Sequence, residues 1–483
     1  MKLGQLLRNA DILEQTASPE LEIKNVRYAS NLVEAGDLFV AVPGYVTDGH
    51  KFIPDAIRRG AAAVVCQEQM PEGTPWVRVA SSRAALARLG ANRFGEPSKS
   101  MCVIGVTGTN GKTTVTYLLK TLLENALGAK VGLIGTICNQ IGKQTLPSEH
   151  TTPESYDLQA LLAQMRDAGC THVVMEVSSH ALYLHRVDCI DFAVGAFTNL
   201  TQDHLDFHKT MDAYCAAKQM LFTRCRKGVF NTDDRYAQRM MRGATCSRYT
   251  VGETGTPELL AKNIELCPDH VEADICEKDD CVHLRLGIPG RFTVHNALTA
   301  LGIARQLAIP LRDAVDALSR AKGVKGRVEV VPTPDREFTV LIDYAHTPDG
   351  LENVLRSVRD FCKGRLIVLF GCGGDRDHGK RPEMGRIAAE LADLVIVTSD
   401  NPRTEEPMAI IRDILSGMEG TKTPYLVEEN RRAAIRIALR NAQKDDMIVL
   451  AGKGHETYQI LGTQKTHLDE REEVAAALCE ISH

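Results

Sequence analysis

Short apolar runs closed by polar turns recur along the chain. GDLFVAVPG (Gly36 to Gly44) and AAAVVCQE (Ala61 to Glu68) predict two strands in the first hundred residues. Met101 to Val106 predicts another strand. Val115, Leu118, Leu119, Leu122 and Leu123 then recur at helical spacing. From there apolar strands alternate with helical patterns, the signature of α/β doubly wound, mostly parallel sheets. CVHLRLGI (Cys281 to Ile288) differs, since Val282, Leu284, Leu286 and Ile288 alternate with other residues. That period of two predicts a half-exposed strand of a smaller antiparallel element. RFGEPSKS (Arg93 to Ser100) and VPTPDRE (Val331 to Glu337) punctuate the pattern and predict three domains, 1–99, 100–332 and 333–483.

With 483 residues and 44% hydrophobic content, the chain can build several cores. A net charge of -5 argues against a nucleic-acid or polyanion binder. No apolar run approaches membrane-spanning length, and MKLGQLLRNADILEQ lacks a signal-peptide core, so neither membrane insertion nor export is expected. The 14 cysteines are scattered singly, with no C-x-x-C pair or zinc spacing. Most are expected to be small buried hydrophobes, in a reducing cytoplasm.

Candidate chemistry begins at VIGVTGTNGKTT. The strict phosphate-loop pattern G-x-x-x-x-G-K-[ST] fails at Val106, where its first glycine belongs. The strand-loop-helix context is nevertheless the one the motif's mechanism needs. Gly108 and Gly111 let backbone N–H groups approach phosphate oxygens, and the helix N-terminus adds partial positive charge. Lys112 can reach outer phosphates, and the Thr113 hydroxyl can ligate Mg2+. Nucleotide binding is predicted; a guanine-reading Asn-Lys-x-Asp element is not found.

THVVMEVSSHAL (Thr171 to Leu182) ends a strand in Glu176, well placed to hold Mg2+, with Ser178 and His180 following. FAVGAFTNLTQDHLDFH opens a second strand into Asn199, Asp203, His204 and His208. His204, beside a carboxylate near a nucleotide site, is either structural or a ligand; His208 is expected to be structural. Lys218, among alanines and large apolar residues in AYCAAKQMLF, reads by itself as a snorkelling surface lysine.

Four further runs, EFTVLIDYAHTPDG, RLIVLFGCGGDRDHGKRP, ADLVIVTSDNPRTEEP and DMIVLAGKGHETYQ, each carry an apolar strand into a dense polar motif. Open parallel sheets bind ligands outside the carboxyl ends of their strands, so these four ends predict one wall of a site. Arg376 and Arg403 offer donor forks for carboxylates. Asp400 and Glu456 suit an ammonium group, and Gly452 permits close backbone approach. Together they suggest an amino acid with several charged ends. An ion-pair network among the same residues is the competing reading.

TGTNGKTT, the TTP of Thr151 to Pro153, EVSSHAL, TNLTQDHLDFH, AAK, DYAHTPD, GGDRDHGKRP, DNPR and GKGHETYQ occur in this order. In this the chain resembles the Mur ligases, and most closely their diaminopimelate-adding members. The family's own signature, G-T-N-G-K-T, lacks the first glycine. The resemblance implies an N-terminal UDP-binding α/β domain, a central phosphate-loop ATPase domain and a C-terminal Rossmann-like domain. It implies a cytoplasmic ligase that uses ATP and Mg2+ to add meso-2,6-diaminopimelate to UDP-N-acetylmuramoyl-L-alanyl-D-glutamate for peptidoglycan. ADP and phosphate would be released through an acyl phosphate.

Residue by residue, the resemblance implies that Gly108, Thr109, Asn110, Gly111, Lys112, Thr113 and Thr114 bind ATP, with Asn296, Arg327, Asp343 and His346. Thr113, Glu176, His204 and a carbamylated Lys218 would hold metal, and Lys112, Lys218 and His204 would be catalytic. Tyr28, Ser30, Tyr45, Val46, Thr47, His150, Thr151, Thr152, Ser178 and Arg186 would bind the nucleotide-linked dipeptide. Arg376, Asp400, Asn401, Pro402, Arg403, Gly452 and Glu456 would bind diaminopimelate, Arg403 taking the carboxylate that lysine lacks. YASN (Tyr28 to Asn31) replaces the family's common D-S-R, and Leu184 stands where some relatives carry glutamine. The partners implied are small molecules, with no nucleic acid and a monomer as the default expectation. The rival readings are a sibling ligase (folylpolyglutamate synthetase or a lysine-adding enzyme) and a non-catalytic ATP-dependent regulator.

Overall fold

GDLFVAVPG and AAAVVCQE supply Leu38–Val40 and Ala63–Cys66, the middle of a five-stranded sheet in the computed structural model, which describes residues 1–44, 47–69 and 73–481. The sheet order is Ile12–Gln15, Trp76–Val79, Ala63–Cys66, Leu38–Val40, Val26–Arg27, parallel except at the Ile12–Gln15 edge. The chain divides into two compact units, Met1–Glu258 with Thr299–Pro310, and Leu259–Leu298 with Leu311–His483.

The first unit holds that sheet and a larger one. Ser247–Gly252, Cys225–Asn231, Phe192–Phe197, Cys102–Thr107, His172–Glu176 and Val131–Ile134 run parallel in this order. Two short antiparallel strands, Asn139–Ile141 and Gln144–Leu146, extend it. Val103, Val173, Phe192, Phe197 and Phe230 are buried in one cluster, each side chain contributing about 1.5–3 kcal/mol of transfer free energy. Cys102–Thr107 lies between His172–Glu176 and Phe192–Phe197, where successive connections leave to opposite sides. That reversal opens a crevice at the carboxyl ends of the three strands.

The second unit holds a six-stranded sheet in the order Glu329–Val331, Thr339–Asp343, Met447–Ala451, Leu366–Phe370, Leu394–Val397, Tyr425–Val427. Only the Glu329–Val331 edge is antiparallel. VPTPDRE therefore turns the chain between two neighbouring strands of this sheet. Alternate strand residues fill different cores: Leu341, Val368, Val395 and Val449 one, Val340, Ile367, Ile396 and Ile448 the other. Both faces being covered explains why these strands read as continuous apolar runs.

Leu259–Leu266, Val271–Glu277 and Asp280–Leu286 form the predicted antiparallel element, with Val282, Leu284 and Leu286 buried and His283 and Arg285 exposed. One pair departs from the reading of most cysteines as small buried hydrophobes. The hairpin register sets Cys276 opposite Cys281, and the two form a disulfide. The other twelve are thiols. No described helix is long and apolar enough to cross a membrane.

Candidate active site

Strand Cys102–Thr107 delivers the glycine loop to helix Lys112–Leu127, whose N-cap is Gly111. The segment after Phe192–Phe197 pins the loop. Asn199 accepts from the backbone N–H of Thr109 (2.9 Å, through its carbonyl) and of Asn110 (2.9 Å, through Oδ1), and Thr198 donates its hydroxyl to the Asn110 carbonyl at 2.6 Å. Gly108 sits at φ +152°, and a Cβ there would lie 1.9 Å from Thr198 Oγ1. Only glycine lets the loop approach Thr198 so closely. Lys112 Nζ donates to the carbonyls of Gly108 and Thr109, at 2.9 and 2.7 Å, and so lies over the loop. Thr114 is buried in the first helical turn.

Thr113 donates its hydroxyl to Glu176 Oε1 at 3.0 Å. Glu176, 1% exposed, also accepts from the N–H of Thr136 at 2.9 Å and from its hydroxyl at 3.1 Å. All these donors are neutral, and Glu176 forms no ion pair among the described residues. A buried carboxylate beside a hydroxyl, without a counter-ion, fits an oxygen-preferring cation such as Mg2+. Among the described residues no group of three or more His, Cys, Asp and Glu side chains gathers as a metal site.

The surface reading of Lys218 is corrected. Helix Met211–Gln219 buries Tyr214, Cys215, Ala217 and Lys218, so the lysine shares the inward face of Tyr214 and Cys215 at helical spacing. Its Nζ donates to the Gly108 carbonyl at 2.7 Å and lies 4.6 Å from the centre of the Tyr214 ring. Burial, reinforced by the charge of Lys112, drives its pKa well below the ordinary value. His204, in a left-handed conformation, lies 3.3 Å from Asp203 and packs edge-on against His180 at 4.8 Å. His208 is buried and shares a 2.9 Å hydrogen bond with Ser179.

Beside this crevice, Thr152 donates its hydroxyl to the Glu176 carbonyl (2.8 Å) and accepts from the N–H of Ser178 (3.2 Å). The hydroxyls of Thr151 and Thr136 meet at 3.0 Å. Arg186 donates to the Thr152 carbonyl and lies 3.3 Å from Glu154, which Arg83 also approaches at 3.4 Å. Tyr28 donates to Asp157; burial, then Asp157, pushes its pKa up. Ser30 opens the turn Ser30–Leu32, while Thr47 and His150 are exposed. Tyr45 and Val46 lie outside the described residues.

In the second unit the strand ends gather two groups. Asp343 accepts from the N–H of Val328 and of Ala345, both at 2.8 Å, and burial raises its pKa against the pull of Arg327. Arg327 lies over the Tyr344 ring at 5.3 Å, and His346 bonds the Tyr344 carbonyl at 2.8 Å. Asn296 is buried on helix Arg291–Gln306.

The second group is Asp400, Asn401, Pro402, Arg403, Gly452 and Glu456. Asn401 donates to Glu456 Oε2 at 3.0 Å. Arg403, at φ +53°, donates to the Gly374 carbonyl at 2.9 Å, and left-handed backbone at so large a residue marks a constrained site. A Cβ on Gly452 would lie 2.7 Å from Asp400 Oδ2, which is why glycine stands there. Arg376, on the neighbouring loop, donates to the Asp375 carbonyl at 3.0 Å. Three side chains escaped the sequence reading: Thr136, Thr198 and the wholly buried Lys453. Only Lys453 left a signal, a lone cation between two glycines at a strand end.

Three family models match the chain: Mur ligase family, catalytic domain over residues 22–93; Mur ligase middle domain over 106–304; and Mur ligase, glutamate ligase domain over 326–454. A protein of Clostridium botulinum named UDP-N-acetylmuramoyl-L-alanyl-D-glutamate--2,6-diaminopimelate ligase is 46% identical over 95% of this chain and 96% of its own. One of the same name from Caldanaerobacter subterraneus subsp. tengcongensis is 47% identical over 99% of each. A solved structure of that name superposes with a TM-score of 0.74 and 31% identity, covering 100% of this chain and 99% of the other. A MurF structure from Acinetobacter baumannii, at 20% identity and a TM-score of 0.63, shares the fold over 99% and 98% of the two chains.

Proposed function

The chain belongs to the Mur ligase family, and from that premise we propose that it joins meso-2,6-diaminopimelate to UDP-N-acetylmuramoyl-L-alanyl-D-glutamate at the expense of ATP. The observation that carries this reading is the cluster of Asp400, Asn401, Arg403, Gly452 and Glu456. It presents a guanidinium and two carboxylates beyond the carboxyl ends of two strands of one sheet, Leu394–Val397 and Met447–Ala451, in a chain that also bears a phosphate loop. The relatives' shared name supports the same substrates. The three-domain division belongs to this reading, with the last boundary drawn ahead of Glu329 because Glu329–Val331 pairs within the six-stranded sheet. A cytoplasmic reaction and a monomer belong to it as well.

In the reaction the γ-phosphoryl group leaves ATP for the D-glutamate γ-carboxylate, giving ADP and an acyl phosphate. The neutral amine of diaminopimelate attacks the acyl carbon, the C–O bond to phosphate breaks, and the nitrogen loses a proton. Phosphoryl transfer needs positioning and charge neutralisation more than covalent help. Lys112 would turn its ammonium from the loop carbonyls to the phosphates, and the N–H groups from Gly108 to Thr114 would cradle them. Thr113 and Glu176 would hold Mg2+, which neutralises phosphate charge. Lys218, whose burial favours the neutral amine, is suited to take up carbon dioxide, losing a proton to become a carbamate that would ligate metal with His204. Thr152, Ser178 and Arg186 would hold the dipeptide end, and Tyr28 and Ser30 would lie towards the uridine. Asn296, Arg327, Asp343 and His346 would serve ATP. Arg403 with Arg376 would bind the distal carboxylate of diaminopimelate, and Asp400 and Glu456 its ammonium.

Phosphate release tests the reading. With all three substrates it should be fast, and omitting either the nucleotide dipeptide or diaminopimelate should reduce it to background. Equal ATP turnover without them would point to a regulator instead.

A further inference from the structure

Lys453 is 0% exposed, an extreme position for an ammonium group. It follows strand Met447–Ala451 and lies between Gly452 and Gly454. Its three protons have three acceptors: Asn401 Oδ1 at 3.0 Å, Glu456 Oε2 at 3.2 Å and the Tyr458 carbonyl at 2.8 Å. Asp400 Oδ1 stands 3.6 Å away. We propose that Lys453 is the positioning residue that sets both the orientation and the charge of the amino-acid-reading cluster, and so the preference for a diamino diacid over a diamino monoacid. The proposal rests on the function argued above.

Orientation follows from Asn401. Its Oδ1 accepts from Lys453 and from the N–H of Ile460 at 2.9 Å, so its amide nitrogen has to face Glu456 Oε2. Turning the amide over would set its N–H groups against two donors. Glu456 Oε2 thus receives donors from both Lys453 and Asn401, which fixes the carboxylate. The Arg403 backbone joins the same scaffold. Its N–H donates to the Ile460 carbonyl (3.1 Å), and its carbonyl accepts from the N–H of Gly462 (2.8 Å). The hairpin of Tyr458–Leu461 and Gln464–His467, held by Lys453 at Tyr458, therefore also sets the guanidinium.

Charge follows from the count. Within the strand-end group, Asp400 and Glu456 are balanced by Lys453 and Arg403, and Arg376 on the neighbouring loop adds one positive charge. The distal end of diaminopimelate carries an ammonium and a carboxylate and is neutral. The distal end of lysine carries an ammonium alone. A site without excess negative charge suits the former. Removing the Lys453 charge makes the site one unit more negative and shifts the preference towards the latter.

The test compares meso-diaminopimelate with L-lysine as acceptor for the full-length enzyme. Lys453→Met should raise the diaminopimelate KM at least about tenfold, the scale of a lost charge-assisted bond. KM for ATP and for the nucleotide dipeptide should stay within about twofold. The lysine-to-diaminopimelate ratio of kcat/KM should rise about tenfold or more. Lys453→Arg, which keeps the charge but not the tetrahedral donors, should keep the wild-type ratio even where KM rises. If the methionine variant does not fold, Lys453→Gln provides the same ratio. An unchanged ratio in the neutral variants, or an equal rise in all three KM values, overturns the proposal. A wild-type enzyme that makes no diaminopimelate adduct overturns the function beneath it, a failure visible before any variant is made.

Discussion

Lys218 is 1% exposed and sits against the Gly108 carbonyl and the face of Tyr214. Its own sequence window, alanines and large apolar residues, describes a snorkelling lysine as well as a buried one. The deciding feature is spacing. Tyr214 and Cys215 lie four and three residues earlier, on the face that turns inward. Lys218→Ala should abolish amide formation, and acetate or formate should restore part of it by standing in for the proposed carbamate. A fully active alanine variant contradicts this role. His208 was legible as structural, and burial, followed by the positive fields of His180, Lys218 and His204, pushes its pKa down to about 4. A folded-state value below the ordinary 6.5 means that the folded protein favours the neutral ring. Stability is therefore complete above pH 6.5 and is lost as pH falls from there towards 4, by up to about 3 kcal/mol from this group. Chemical denaturation of His208→Gln between pH 4 and 7 should show a shallower loss than the wild type, and identical slopes would contradict it.

At the scale of elements, strands were the most legible features. An apolar run such as RLIVLF must be buried on both faces, and the polar residues after it mark its carboxyl end. Pairings between distant segments were not legible. Nothing in TNLT announces that Thr198 and Asn199 clamp the phosphate loop, or that Thr136 braces Glu176. The Cys276–Cys281 bridge was hidden for the same reason, since it depends on hairpin register. The clamp makes Gly108 a sensitive position. A Cβ there would meet Thr198 Oγ1 at 1.9 Å, and the enforced shift should cost roughly 1–3 kcal/mol. Gly108→Ala should weaken binding of a fluorescent ATP analogue about tenfold or more, with binding of the nucleotide dipeptide retained. Undiminished nucleotide affinity would mean that the loop amides do not grip phosphate.

For the molecule as a whole, the four polar motifs after apolar strands were legible as one wall because a parallel sheet puts all its carboxyl ends on one side. Their ordered co-occurrence with the phosphate loop made the family legible too, and the matches over residues 22–93, 106–304 and 326–454 bear it out. Chain pattern could not supply the internal counter-ion Lys453, whose part emerges only from the partners it meets. The central claim is that one chain spends ATP to join a diamino diacid to a sugar-linked peptide. Mass analysis of the products formed from ATP, UDP-N-acetylmuramoyl-L-alanyl-D-glutamate and a panel of amino acids tests it most directly. The account predicts one adduct, the nucleotide tripeptide carrying diaminopimelate, formed in step with ADP and phosphate. A lysine or glutamate adduct in its place, or ADP without any adduct, would contradict it.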